Sequence, residues 1–174
     1  PKDKNTRPLK DLARESIFNL LTHSNKLLLE LDGSNVFDLY AGTGSFGLEC
    51  LSRNAKLIYF VENRKSAYEI LKKNIEKLKI KKNSKIFISN VFDLLNKQHA
   101  LLPKFDLIFC DPPFKNKDIK ELIDLIFNAK ILKKNGIIVI HRNKTTKDQL
   151  PSYFNILDER VYGISKLIFG KLSS

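Results

Sequence analysis

Short apolar segments alternate with amphipathic segments along the whole chain, and this alternation limits the folds that the chain can adopt. Residues 36–40 and 105–110 have the length and apolar content of buried strands, whereas residues 65–78 carry apolar side chains at helical spacing. Strands that alternate with helices favour βαβ units and a doubly wound parallel sheet. The sequence therefore predicts an α/β fold.

The full set of predicted elements gives seven strands. The predicted helices are at 11–31 (with a possible break at 22–25), 45–53, 65–78, 91–99 and 117–129. The predicted strands are at 36–40, 57–61, 85–88, 105–110, 136–140, 154–160 and 165–169. Because the last two strands flank Tyr162 and Gly163, we expect a mostly parallel sheet with an antiparallel last strand. We expect one domain at 1–174, in which residues 1–32 are a helical segment that leads into the sheet.

The composition narrows the possible partners. The net charge of +12 suits a polyanion such as nucleic acid, although the excess of lysine also resembles a compositional drift. No apolar run approaches the roughly 20 residues of a membrane span, and no apolar segment of a secretory signal follows the N-terminus. We therefore expect a cytoplasmic protein that does not bind membranes.

The cysteines and histidines do not form a cluster at the spacing of metal ligands, so no metal site is predicted. Cys50 and Cys110 each lie in an apolar segment, and we expect two buried, reduced thiols. His23, His99 and His141 are isolated and are interpreted as surface or structural histidines.

The first candidate site follows the strand at 36–40, where Gly42, Gly44 and Gly47 precede and open a helix. Glycines allow a sharp turn and close approach to a ligand, although a purely structural turn also explains them. Asp38 would repel the pyrophosphate of a dinucleotide but suits the ammonium and sulfonium groups of S-adenosylmethionine. We expect this cofactor to contact Asp38, Ala41, Gly42, Thr43 and Gly44.

Glu62 and Asn90 follow or end the next two strands. The Glu62 carboxylate can accept two hydrogen bonds from a ribose diol, and the alternative is a surface glutamate at a helix start. Asn90 can bind the adenine edge, cap the following helix, or do both. With their neighbours Asn63 and Val91, these residues complete the predicted cofactor site.

The decisive motif is Asp111-Pro112-Pro113-Phe114, which follows the apolar strand at 105–110. The Asp111 carboxylate and the Pro112 carbonyl can each accept one hydrogen of an exocyclic amine, which directs the nitrogen lone pair at the sulfonium methyl. Phe114 can stack on the base. We predict that these four residues form a catalytic site that works mainly by positioning. A loop without catalytic function is the alternative.

The order of these motifs resembles class I S-adenosylmethionine-dependent methyltransferases, and the Asp-Pro-Pro-Phe loop resembles their amino-methyltransferase branch. More specifically, the chain looks like the RsmD family. The similarity is carried by Arg7, Pro8, Arg14, Glu15, Phe18, Asn19, residues 38–44, 47–49, 51–53 and 111–114, Arg160, Tyr162 and Gly163. The resemblance implies a Rossmann-like enzyme that methylates guanine N2 in bacterial small-subunit (16S) ribosomal RNA, as a monomer acting on an assembled or assembling subunit.

Three features depart from that family's pattern. Leu9 and Leu12 stand where the family usually has a threonine and a basic residue, and His141 stands where a glutamate often ends the last parallel strand. The basic β-hairpin that usually precedes the Arg-Pro pair is absent from these 174 residues.

We expect RNA contacts from the basic residues that flank the predicted catalytic mouth: Arg7, Lys10, Arg14, Lys115 and Lys117.

Three other functions compete with this interpretation. An NAD-binding oxidoreductase would use the glycine loop and Glu62, but it assigns no role to Asp38 or to the loop at 111–114. DNA amino-methyltransferases favour Asn-Pro-Pro-Tyr and usually need a larger target-recognition domain. A non-catalytic RNA-binding protein would have no need of an intact Asp-Pro-Pro-Phe loop.

Overall fold

The computed structural model describes residues 6–113 and 118–173, with the backbone alone at 6–10. The α-helices in this part of the chain are α1 (Thr6–His23), α2 (Ser45–Ser52), α3 (Lys65–Lys77), α4 (Val91–Lys97) and α5 (Ile119–Ala129). The strands are β1 (Asn35–Leu39), β2 (Leu57–Glu62), β3 (Ser84–Ile88), β4 (Phe105–Cys110), β5 (Leu132–Asn143), β6 (Phe154–Tyr162) and β7 (Ser165–Leu172).

These seven strands form one sheet in the order β3-β2-β1-β4-β5-β7-β6. Neighbouring strands are parallel from β3 to β5, and β7 runs antiparallel to both β5 and β6. The predicted mostly parallel sheet with an antiparallel last strand is confirmed. Strand order reverses between β1 and β4, where Leu39 pairs with Cys110. Since ligands bind at such switch points, the loops after these two strands lie where a site is expected.

Helices cover both faces of the sheet over two hydrophobic clusters. Leu107 and Phe109 of β4 face the cluster that includes side chains of α1, α2 and α3. Ile108 and Cys110 face the cluster that includes side chains of α4 and α5. Successive side chains of a strand point to opposite faces, so the unbroken apolar run of β4 is buried on both sides.

Several element boundaries differ from the prediction. The helix predicted at 11–31 begins at Thr6 and ends at His23, within the possible break predicted at 22–25. It does not resume after the break, and Leu28 has a left-handed φ of 46° that an α-helix does not accommodate. The strand predicted at 136–140 extends over Leu132–Asn143, because hydrogen bonding to β4 and β7 continues beyond its apolar centre. Of the apolar side chains at helical spacing in residues 65–78, Ala67, Leu71 and Ile75 are buried, whereas Ile70 and Leu78 are exposed.

The cysteine prediction is confirmed. Both thiols are free, and burial raises the pKa of Cys50 and of Cys110, so both stay protonated. Within residues 6–113 and 118–173, no group of side chains is arranged to hold a metal ion. A search of the same residues finds no helix with the length and apolar character of a membrane span.

Candidate active site

The loop between β1 and α2 combines backbone freedom with close packing. Gly42 and Gly44 have φ values of 58° and 86°, which side-chain-bearing residues rarely adopt. A Cβ atom on Gly44 would also lie 2.3 Å from Leu71, and one on Gly47 would lie 2.4 Å from Phe60. The last glycine of the motif therefore serves helix packing, and the first two shape the loop.

Asp38 lies at the end of β1 beneath this loop and is only 1% exposed. Its Oδ2 accepts a hydrogen bond of 3.1 Å from the Gly47 amide. Burial raises the pKa of the Asp38 carboxyl to about 8; the Gly47 bond opposes that rise, and the Asp111 and Glu62 carboxylates add to it. A buried carboxyl of this kind gains most from a cation placed beside it.

Glu62 is buried at the end of β2, so the alternative of a surface glutamate is wrong. Its Oε2 accepts a 2.7 Å bond from the Gly42 amide, and its Oε1 accepts bonds of 2.8 and 3.1 Å from the Arg64 amide and Nε. Burial works against ionisation, but the bonds from Arg64 and Gly42 outweigh it and lower the pKa of Glu62. The site therefore contains an ionised carboxylate tied to the glycine loop.

Arg64 is a site residue that the sequence reasoning missed. Its guanidinium is largely exposed, and its Nη2 lies 3.8 Å from the position of a Cβ on Gly42. The only sign in the sequence that Arg64 belongs to the site is its position, two residues after Glu62. Its side chain therefore lies beside both Glu62 and the glycine loop, and most of its surface faces solvent.

Asn90 caps α4, accepting hydrogen bonds of 2.8 and 3.4 Å from the amides of Phe92 and Asp93. The capping interpretation is confirmed, and contact with adenine stays a prediction. A cavity of about 20 Å³ lies beside it and is lined by Tyr40, Val61, Glu62, Asn63, Ser89 and Val91. This is about the space of one water, so entry of an adenine requires side chains at this edge to move.

A second cavity, of about 470 Å³, brings the first and last motifs together. Thr43 and Ser45 from the glycine loop line one side, and Asp111 lines another. The Phe46 and Phe109 rings stack at 3.9 Å to form an apolar wall. Space therefore exists between the predicted cofactor loop and the predicted catalytic carboxylate, which the sequence alone could not show.

Helix α1 forms the remaining wall of this cavity. Its Phe18 stacks on Phe46 with ring centroids 5.2 Å apart, and the Ser16 hydroxyl donates a hydrogen bond to the Tyr162 hydroxyl at the end of β6. Arg14 lies at the rim and pairs with Asp11 at 3.0 Å. The early segment of the RsmD resemblance thus contributes to the cavity wall through Arg14, and it contacts the late segment through the bond between Ser16 and Tyr162.

Asp111 and Pro113 each contact a residue from the end of β5. Asp111 Oδ1 lies 2.8 Å from Nδ1 of His141, and the Pro113 carbonyl accepts a 3.3 Å bond from Arg142. His141 is buried, so it is not a surface histidine. Arg142 was missed altogether; the available signal was a histidine and an arginine directly after the buried run 137–140.

The remaining predicted residues are only partly described. Phe114, Lys115 and Lys117 lie outside the described residues, as do the side chains of Arg7 and Lys10. Of the five predicted RNA contacts, the side chain of Arg14 alone is described, and it lies at the mouth of the larger cavity.

Known proteins are similar to this chain in sequence and in fold. The family described as "Conserved hypothetical protein 95" matches residues 1–171. The chain is 33% identical over 159 residues to ribosomal RNA small subunit methyltransferase D of Haemophilus influenzae, covering 91% of this chain and 79% of that protein. The solved structure of yhhF from Escherichia coli is 26% identical, superposes with a TM-score of 0.82, and covers 97% and 88% of the two chains.

A more distant structure, that of SMU.776 complexed with SAH, is 18% identical with a TM-score of 0.70 and shares the fold over 91% of this chain and 49% of that one. The match over nearly the whole chain and the identity to methyltransferase D assign the family. The chain belongs to the family described as "Conserved hypothetical protein 95", the RsmD-family methyltransferases.

Proposed function

We propose that this chain transfers a methyl group from S-adenosylmethionine to the exocyclic N2 of a guanine in small-subunit (16S) ribosomal RNA. The observation that carries the proposal is the cavity of about 470 Å³ that joins the glycine loop to Asp111. The relative in Haemophilus influenzae bears the name of a small-subunit rRNA methyltransferase, which supports this choice of RNA. Adenine N6 and cytosine N4 are the alternative acceptors, because they present the same amine chemistry.

The charges of the loop edge suit S-adenosylmethionine better than a dinucleotide. Asp38 and Glu62 are both buried carboxyls at this edge, and they raise the electrostatic cost of a pyrophosphate. A sulfonium and an ammonium group are favoured at the same place. The proposed cofactor contacts are Asp38, Ala41, Gly42, Thr43, Gly44, Glu62, Asn63, Asn90 and Val91. The cofactor supplies an electrophilic methyl group, and the protein orients that methyl group toward the acceptor amine.

The proposed transfer depends on how the amine is held. Asp111 Oδ2 and the Pro112 carbonyl each accept one amine hydrogen, and Phe114 stacks on the extruded base. The nitrogen lone pair then forms the new N–C bond as the C–S bond breaks, and the electron pair of that bond stays on sulfur. The nitrogen then releases one proton to solvent water, which completes the reaction. Placement of the two reactants is the main contribution of the site.

RNA contacts are proposed for Arg7, Lys10, Arg14, Lys115 and Lys117. Arg14 supports this set, because its guanidinium lies at the rim of the cavity that also contains Asp111. Phosphates bound there would orient the target nucleotide over the opening. We expect the chain to act as a monomer in the cytoplasm on an assembled or assembling small subunit.

The decisive test is methyl transfer to small subunits isolated without this modification. The expected product is N2-methylguanosine, identified by mass spectrometry of the digested RNA. N6-methyladenosine or N4-methylcytidine would replace the proposed acceptor by one of its alternatives. Absence of transfer to small subunits and to free 16S RNA would refute the proposal. Calorimetry with S-adenosylmethionine and NAD separates the methyltransferase from the oxidoreductase alternative.

A further inference from the structure

Two consecutive residues of β5 contact the two ends of the Asp-Pro-Pro segment. His141 reaches the carboxylate of Asp111, and Arg142 reaches the carbonyl of Pro113. Because adjacent side chains of a strand point to opposite faces, they approach the segment from opposite sides of the sheet. β5 can do this since it is the direct parallel neighbour of β4, whose end carries the segment.

Both residues are themselves held by the protein. His141 Nε2 lies 2.9 Å from the Ser165 hydroxyl on β7. Arg142 is fully buried and makes two 2.9 Å bonds to the two carboxylate oxygens of Asp148. A planar guanidinium bound in this bidentate manner has a defined orientation. Its contact with Pro113 is therefore made by a rigid group.

The hydrogen-bond directions at His141 follow from its partners. An ionised Asp111 can only accept, so the Nδ1 of His141 must carry the hydrogen. In the neutral ring, Nε2 then accepts from the Ser165 hydroxyl. This arrangement occupies Asp111 Oδ1 and leaves Oδ2 for another donor.

We propose that His141 and Arg142 are positioning residues for methyl transfer. His141 fixes the rotation of the Asp111 carboxylate so that Oδ2 accepts from the target amine. Arg142 fixes the Pro113 carbonyl and thereby the orientation of the neighbouring Pro112 carbonyl. This inference rests on the proposed amine methylation, and it adds two residues that act through Asp111 and Pro113.

Replacement of His141 by asparagine or by glutamine tests its contacts with Asp111 and with Ser165 separately. In His141→Asn the side-chain nitrogen takes the place of Nδ1 and can donate to Asp111, whereas in His141→Gln it takes the place of Nε2 and reaches Ser165. We expect His141→Asn to retain most of the single-turnover rate of methyl transfer and His141→Gln to have that rate lowered about tenfold or more. The affinity for S-adenosylmethionine should be unchanged in both variants. Equal rates for the two variants would overturn the role of His141, because a merely structural histidine would not distinguish them.

Arg142 needs a variant that keeps the fold, since removing one partner of a buried ion pair leaves a buried charge. The double variant Arg142→Met with Asp148→Leu removes both charges together. Its melting temperature reports on folding, and its transfer rate reports on the contact with Pro113. We expect a folded protein with a rate lowered about tenfold or more. A folded double variant with the parent rate would exclude Arg142 from positioning.

A measurement without turnover keeps this inference separate from the proposed function. The ¹⁵N chemical shifts of His141 in the free protein identify which ring nitrogen carries the hydrogen. We expect a protonated Nδ1 in the parent and a changed signal in Asp111→Ala. An unprotonated Nδ1 would overturn the inference even in an active enzyme. A parent protein that shows the expected shifts but methylates no small subunit would instead refute the proposed function.

Discussion

The Glu62 carboxylate accepts a 2.7 Å hydrogen bond from the Gly42 amide, which ties the end of β2 to the loop after β1. The same carboxylate binds the exposed guanidinium of Arg64 through its other oxygen. Glu62 therefore has a structural role in the free protein and, in our proposal, a ligand-binding role in the complex with S-adenosylmethionine. Measurements of folding and of binding can distinguish the two roles.

Replacement of Glu62 by alanine should weaken binding of S-adenosylmethionine at least about tenfold. The variant can no longer make two charge-assisted bonds to the ribose, each of roughly 1.5–3 kcal/mol before compensation by water. Calorimetry measures the affinity, and the melting temperature reports separately on the missing bond to Gly42. Glu69→Ala, an exposed position on α3, is the matched control. Unchanged affinity in Glu62→Ala would remove this residue from the site.

Asp38 should make stability and cofactor affinity depend on pH in opposite directions. Its pKa rises from 3.8 to about 8 in the folded protein, so between these values the folded state binds more protons than the unfolded state. The free energy of unfolding then falls as pH rises through that window. A bound cation favours the ionised carboxylate, so cofactor affinity should rise with pH up to about 8.

The control for this prediction is Asp38→Asn, which keeps an acceptor for the Gly47 amide and does not titrate. Calorimetry and chemical denaturation at several pH values measure both dependences. We expect each to be flatter in the variant than in the parent. Identical pH profiles for the two proteins would show that another group titrates in this range.

Replacement of Asp111 by alanine should slow methyl transfer more than a hundredfold while leaving cofactor binding nearly intact. The orienting hydrogen bond that the variant lacks, of about 3 kcal/mol, corresponds to that factor. Single-turnover methylation of unmodified small subunits measures the rate. Asp32→Ala, at an exposed position before β1, is the matched removal of a carboxylate. An Asp111→Ala enzyme with the parent rate would mean that another group holds the amine.

Removal of the proposed phosphate-binding side chains should reduce the salt dependence of RNA binding. Replacing any one of Arg7, Lys10, Arg14, Lys115 or Lys117 by alanine should lower the slope of log affinity against log salt by about 0.7–0.9. The five variants can be titrated with 16S RNA at several salt concentrations. Lys134→Ala, an exposed lysine at the start of β5, should leave the slope unchanged. Unchanged slopes in all five variants would identify these residues as an ordinary solvated surface.

Local chemistry explains the parts of the structure that the sequence predicted well. The strand at 105–110 was predicted with its observed bounds, because a short apolar run followed by Asp-Pro-Pro has a clear end. The helix predicted at 45–53 ends at Ser52, and Asn54, a residue type that tolerates the left-handed conformation, follows it with a φ of 66°. Asp38, Gly42, Glu62 and Asp111 were all placed at the carboxyl edge, since strand ends in a parallel sheet meet there.

The amino-acid sequence by itself determined the strand–helix order, the sheet type and the residues that follow β1, β2 and β4, because these depend on local periodicity and on glycine and proline. The tertiary structure decided what those residues contact. Asp111 meets His141 30 positions away, and Ser16 meets Tyr162 146 positions away. Such pairs arise from the strand order and from helix packing, which bring distant segments together. No sequence pattern near either residue predicts the contact. The contact of Arg142 with Pro113, 29 positions away, has the same origin, and so could be found only after folding.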